Sequence, residues 1–362
     1  MTQAPASRSR AIGVYVLLGR AVPSVIALAL GLLAGAVLIL IAGYSPIQVF
    51  SAMLNGAFFT NAGQSYLLTY MATLILAAIA FLLPGKAGIW NVGAQGQIYF
   101  GGITTALIAL FVPLPPVIWP LVAFIGGGLA GAAWAFVPGV LEPYRKASAI
   151  VTTIMLNYVA QATASFILFN YIGKLIPRTL VNNTTPNFSS LVTLPRIPGY
   201  SASIMIIISI LIAIASWYFL QRTSLGYKIR ATGSGPMSAQ AKGIDPKKMM
   251  VIAMVIGGLI AGVAGTGDIL SRGNYVDQFP EGWFGGEGFA GIAVALVAAN
   301  NPIGSIFSAI LFAVMVSGAP FIQVQGLPRE LVWAMQGLII LFTAMPYIYQ
   351  TLQKRARRRK WI

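Results

Sequence analysis

The 362-residue chain contains no cysteine and no histidine, and only seven aspartate and glutamate residues. Without cysteine there is no disulfide and no thiolate metal site. Without histidine the commonest metal ligand, general base and proton shuttle is gone. Charged residues make up 8% of the chain, against about 25% in ordinary soluble domains, too few to cover a water-facing surface. No paired carboxylates, no nucleophile with a base and no Gly-x4-Gly-Lys-Ser/Thr phosphate loop occur. These absences argue against a membrane enzyme, and against ATP hydrolysis by this chain.

What remains is apolar. Hydrophobic residues form 57% of the sequence, in recurring runs of about 20, each long enough to cross a bilayer. The fold class this implies is all-α: a polytopic transmembrane helical bundle over 1–362, with about ten spans. They fall near 21–43, 65–83, 93–112, 117–139, 149–172, 201–220, 250–270, 287–300, 303–322 and 330–350. The third and eighth are short, glycine-interrupted and polar for lipid-facing helices. No cleavable signal peptide is expected, because the first apolar run is too long and no small-residue cleavage pattern follows it.

Cytoplasmic loops carry the excess of Lys and Arg. With the N-terminus inside, 18 of the 23 basic residues fall on that face, and only Lys174, Arg178, Arg196, Arg272 and Arg329 fall outside. Segment 1–20, loop 221–249 and the basic tail 351–362 are then cytoplasmic, and loop 173–200 is external. The formal charge of +16 sets topology and attracts anionic lipid heads. No basic domain with interleaved aromatics stands apart from the bilayer, so nucleic acid is not an expected partner.

Six of the 18 residues in "GKAGIWNVGAQGQIYFGG" (85–102) are glycine. Backbone that leaves the helix at membrane depth survives only where protein or a water-lined cavity satisfies it. Gly88, Gly93 and Gly96 therefore suggest a broken or closely packed span, with Asn91, Gln95 and Gln97 directed at a cavity or at another helix. A counterpart, "GGEGFAGIAVALVAANNPIG" (285–304), follows a long span running the opposite way. Paired broken segments in inverted halves point to a transport site; small-residue packing is the alternative, and it also accounts for Gly127, Gly131, Gly258 and Gly262. In the fifth span Thr153, Asn157 and Gln161 are spaced by four and share a stripe, which suggests a water-accessible face. Trp90 and Phe289 offer flat surfaces to a ring, or serve as packing and interface anchors.

In loop 221–249, Pro236 suits the first position of a helix and Gly243 a left-handed C-terminal cap. The intervening "PMSAQAK" makes about two turns, with Met237 and Ala241 on one face. Such a helix has too little apolar surface to bury alone. It either lies on lipid or docks into a groove on a soluble partner.

"RATGSGPMSAQAKGID" (230–245) resembles the coupling loop of permease subunits of bacterial ABC importers, in the branch handling branched-chain amino acids, ribose and nucleosides. "GIWNVGAQGQIYFGG" (88–102), "IVTTIMLNYVA" (150–160), "GFAGIAVALVAANNPIG" (288–304) and "VWAMQGLIILF" (332–342) resemble the same branch, in the expected order. The combination is most similar to its nucleoside-type permeases. Two departures stand out: Ser234-Gly235 where relatives commonly carry an acid before the coupling-helix proline, and Lys146-Ala147-Ser148 where many carry Glu before the fifth span.

The resemblance implies a non-catalytic permease of the bacterial inner membrane. It implies three partners: a cytoplasmic ATP-binding subunit that holds ATP and Mg, a second identical or homologous permease subunit, and an extracytoplasmic substrate-binding protein. No cofactor is expected in this chain. Trp90, Asn91, Gln95, Thr153, Asn157, Gln161 and Phe289 become candidates for the substrate pathway, and Pro236, Met237, Ala239, Ala241 and Gly243 for coupling to the ATPase. Uncharged amides and aromatics fit a nucleoside, and they fit a pentose or a flavin nearly as well. An ion-coupled secondary transporter is the competing class; it usually shows intramembrane carboxylates, for which only Asp268 and Glu287 are placed.

Overall fold

The computed structural model describes residues 26–115, 118–175, 194–198, 202–272, 286–324, 326, 328 and 330–359. Segment 1–20 and most of the external loop, 176–193, lie outside the described residues. The helices are α1 (Ile26–Ile41), α2 (Pro46–Phe59), α3 (Asn61–Lys86), α4 (Ala94–Phe111), α5 (Trp119–Arg145) and α6 (Ala149–Phe166). They continue with α7 (Met205–Arg222), α8 (Ser224–Ser234), α9 (Pro236–Ala241), α10 (Pro246–Arg272), α11 (Glu287–Val297), α12 (Pro302–Gln323) and α13 (Glu330–Arg359). A π-helical turn, Ile167–Ile172, extends α6. Among the described residues the only β feature is an isolated bridge between Arg196 and Ser203.

Every expected span coincides with a helix. Among the described residues six are long and apolar enough to cross a membrane, and α1 with α2 makes a seventh if the pair, bent by 115°, is one span. The chain is a polytopic helical membrane protein. Two helices were not expected from the apolar pattern. α2 is too short to span, and α8 is polar enough to read as loop. Expected as a basic tail, the residues after 350 continue α13 as helix to Arg359.

Side-chain caps divide the helices. Thr60 accepts from the Gly63 amide, Thr223 from Gly226 and Asn301 from Ile303, each satisfying an orphan donor of a first turn. Asp245 accepts from both Lys247 and Lys248 amides at the start of α10.

α3 is the centre of the bundle. Every residue from Met71 to Pro84 is buried, as a helix that is apolar all round requires, and α2, α7, α10, α11 and α12 pack around it. α5 crosses α10 at close range. A Cβ on Gly262 would fall inside the contact radius of the Gly127 carbonyl, and one on Gly131 would meet Gly258 and Gly262. Those four glycines are thus a packing seam of the small-xxx-small kind, and Thr105 and Thr266 join their hydroxyls beside it at 2.9 Å.

The seam generates a prediction. Gly262→Ala should lower the melting temperature in detergent by the cost of overpacking, about 1–3 kcal/mol. Gly337→Ala, facing open space in α13, should leave it unchanged or raise it. Equal melting temperatures for the two variants would contradict the seam.

Candidate functional site

At the end of α3 the chain turns at Ala87-Gly88, where Gly88 takes φ +88°, and runs without helix through 89–91 back alongside α3. The return is governed by Pro84. Proline has no N–H, so the carbonyl of Ala80, four residues earlier, loses its helical donor. The Asn91 side chain supplies it, donating Nδ2 to Ala80 O at 3.0 Å. The same amide donates to Gln97 Oε1 and accepts from Gln97 Nε2, both at 3.0 Å, and accepts from the Gly93 amide at 3.1 Å. Asn91 is 0% exposed and its hydrogen-bonding capacity is filled. α4 therefore begins beside Ala80, about 9 Å inside the Lys86 end of α3.

α11 begins at the same depth. Gln95, second residue of α4, accepts from the amide of Gly288, second residue of α11, at 2.7 Å. Gly291 abuts Ala77 of α3. From this point α4 runs away from the Lys86 end. α11 runs toward that end and hands over to α12, whose Ser308 bonds the Val294 carbonyl at 2.8 Å and whose far end meets α2, Phe321 against Gly56. Two half-helices thus stand N-terminus to N-terminus in the bundle interior, and the Gln95 amide side chain bonds across 193 residues of sequence. Helix N-termini present unpaired N–H groups and partial positive charge. Glu287 is buried at the first position of α11, where that charge favours a carboxylate; Asp268 is buried on α10 and accepts from Thr73 at 3.3 Å.

Two members of the polar stripe of α6, Thr153 and Asn157, turn inward. Asn157 accepts from the Gly96 amide at 2.8 Å and donates to the Val92 carbonyl at 3.0 Å. Thr153 is buried with its hydroxyl on the Ala149 carbonyl of its own helix, and a Cβ on Gly93 would touch it. Of the two destinations open to these amides, cavity or neighbouring helix, the structure gives the helix. Gln161 is half-buried. Trp90, 45% exposed, sets its ring edge-on to Phe81 at 5.6 Å, and Phe289 is 40% exposed. Sequence reasoning overlooked the Pro84–Asn91 relation. Its signal was an interior proline near a span's end, whose i−4 carbonyl needs a donor. Phe100 stacks on Trp134 at 4.0 Å, which no local pattern announced.

The Lys86 end carries the second part of the site. Gly233 of α8 lies against the Lys86 carbonyl, and the end of α5 faces α9 and the start of α10. Here α9 spans Pro236–Ala241, and Gly243 takes the expected left-handed φ, +75°. Ala239 and Ile244 anchor the turn by burial. Met237 is 88% exposed, and Pro236, Gln240 and Ala241 are exposed with it. The short helix presents a face that nothing among the described residues covers.

Opposed half-helices in a polytopic bundle, with a short projecting helix at the basic end, define a membrane transport protein of the broken-helix kind. The chain belongs to the branched-chain amino acid transport system / permease component family, which matches residues 63–344. It is 32% identical over 348 residues to the nucleoside ABC transporter permease protein NupB of Lactococcus lactis, covering 92% of this chain and 93% of that one. It is 30% identical over 336 residues to the guanosine ABC transporter permease protein NupP of Bacillus subtilis, covering 92% and 96%. The glucose ABC transporter permease protein TsgB13 of Haloferax volcanii is 27% identical, covering 85% and 83%.

Because the chain has no native cysteine, single cysteines report accessibility directly. At rest, Trp90→Cys should react with a small aqueous thiol reagent and Asn91→Cys should not. Gln95→Cys should react only in a transport state that parts α4 from α11. Rapid labelling of Asn91→Cys at rest, read as a mass shift, would contradict the buried amide.

Proposed function

We propose that this chain is the membrane-spanning permease subunit of an ATP-binding-cassette importer of a bacterial inner membrane, and that it carries a nucleoside. The whole chain is one permease domain with both termini in the cytoplasm. That orientation follows from the Lys and Arg bias, and it puts α9 inside the cell. The observation that carries the reading is the Met237 face of α9: six residues, apolar at the tip, which nothing among the described residues covers. Through Pro236, Met237, Ala239, Ala241 and Gly243 it couples to a separate ATP-binding subunit, which holds ATP and Mg and does the hydrolysis. A second permease subunit and an extracytoplasmic substrate-binding protein complete the importer.

The solute pathway runs past the meeting point of α4 and α11. Asn91, Thr153 and Asn157 frame it, Gln95 closes it, the half-buried Gln161 adds a polar group, and Trp90 and Phe289 supply exposed ring surfaces. Nucleosides are favoured by the nucleoside and guanosine permeases that match nearly the whole chain. A sugar is the second reading, favoured by the glucose permease that matches it nearly as far.

The test is uptake by the reconstituted importer. Labelled guanosine should enter vesicles with ATP on the cytoplasmic side, in the presence of a protonophore and without sodium. Met237→Asp with Ala241→Asp should abolish uptake while membrane insertion persists. Uptake that collapses under the protonophore at constant ATP would assign the buried Asp268 and Glu287 to ion coupling and overturn the reading. Glucose competing better than guanosine would select the sugar.

A further inference from the structure

A groove of about 760 Å³ opens beside α9, lined among others by Glu142 and Pro143 of α5, Pro236 and Gln240 of α9, and Lys247 and Met250 of α10. Its surroundings are strongly cationic. Lys247 lines it, and Arg145, Lys146, Lys242 and Lys248 flank its lining residues in sequence, all exposed. The two acids present are already engaged. Glu142 accepts from the Ala149 amide at 3.1 Å and closes the α5–α6 turn. Asp245 caps α10 and pairs with Lys248 at 3.8 Å. Nearby on α8, the buried Nε of Arg230 finds no acceptor among the described residues.

Membrane topology alone asks for cations on this face but not for their positions. Lys247 and Lys248 occupy the first turn of α10, where the helix dipole disfavours positive charge. Lys247 also sits 5.4 Å over the exposed Tyr144 ring, which draws it toward α5 and the groove. Cations placed against the local field, around a groove beside an uncovered apolar helix, point to an anionic partner seated there.

We propose that α9 and this groove receive an acidic face of the ATP-binding subunit, so that Met237 supplies apolar contact and the surrounding lysines and arginines supply charge pairing. The inference rests on the docking reading above and specifies the chemistry of the partner's surface. Permease and ATP-binding subunit are selective for one another through net charge as well as shape.

The experiment uses the full chain in nanodiscs of neutral phosphatidylcholine and the purified ATP-binding subunit that accompanies it. Affinity should fall at least about tenfold between about 0.05 and 0.5 M salt, as screening of exposed charge requires. Lys247→Glu with Lys248→Glu should weaken binding by a similar factor at low salt. Acids in a first turn suit the helix dipole while the Lys248–Asp245 pair is lost, so the melting temperature is measured beside binding, and a variant that melts with the parent yet binds weakly has lost binding and not folding. If Met237→Asp abolishes binding while salt and the lysine variant do nothing, docking stands and the acidic partner face is wrong. If Met237→Asp also has no effect, the docking reading itself fails. If the lysine variant matters only in nanodiscs containing phosphatidylserine, the cations serve the lipid and the proposal is overturned.

Discussion

In hydrocarbon a peptide group without a hydrogen-bond partner costs several kcal/mol, and this chain opens its helices in the interior of the bundle. The rest of the architecture follows from how those open groups are closed. Pro84 frees the Ala80 carbonyl and Asn91 fills it; Asn157 takes the Gly96 amide and the Val92 carbonyl; Gln95 takes the Gly288 amide. Three carboxamides stand where helical backbone would have stood. Each has both a donor and an acceptor, and none brings a charge that would demand its own counter-ion. An aspartate at position 91 would accept but could not donate to Ala80 once ionised, so the amide is the side chain the site requires.

With the backbone satisfied, the two half-helices can start in the interior and leave in opposite directions. α3, buried all along its inner half, is the wall against which both are placed. The α5–α10 glycine seam packs against Gly101 of α4, and α6 reaches the start of α4 through Asn157. Where α4 meets α11 the Gly288 backbone lies directly against Gln95, and the Gln95 side chain takes the Gly288 amide. The basic end carries a separate element, α9, whose Met237 face nothing among the described residues covers.

Much of this was legible in the sequence, for physical reasons. Runs of about 20 apolar residues have one common solution in a bilayer, the helix, so all ten expected spans coincide with helices. The glycine pairs, the inverted broken segments and the Pro236–Gly243 helix were visible because glycine and proline act locally. α2 escaped because 14 residues beginning with proline are too few to span, and α8 because its apolar face is narrow. The spacing of Thr153, Asn157 and Gln161 shows that they share a face of α6, but not that Asn157 meets the start of α4. Spacing fixes which residues share a face; only packing decides what that face meets. The link between Pro84 and Asn91 depends on the chain folding back beside its own helix, which no window along the sequence reports.

The most direct test of the account separates stability from solute recognition. Asn91→Ala and Asn157→Ala should each lower the melting temperature of the detergent-solubilised chain by an amount reflecting about 2–4 kcal/mol, the cost of leaving buried partners unpaired. The KM for guanosine uptake by the reconstituted importer should stay within about twofold of the parent, since equal KM means no lost solute contact. Unchanged melting temperatures with a KM raised about tenfold or more would mean that these amides hold the solute and not the backbone, and would contradict the account.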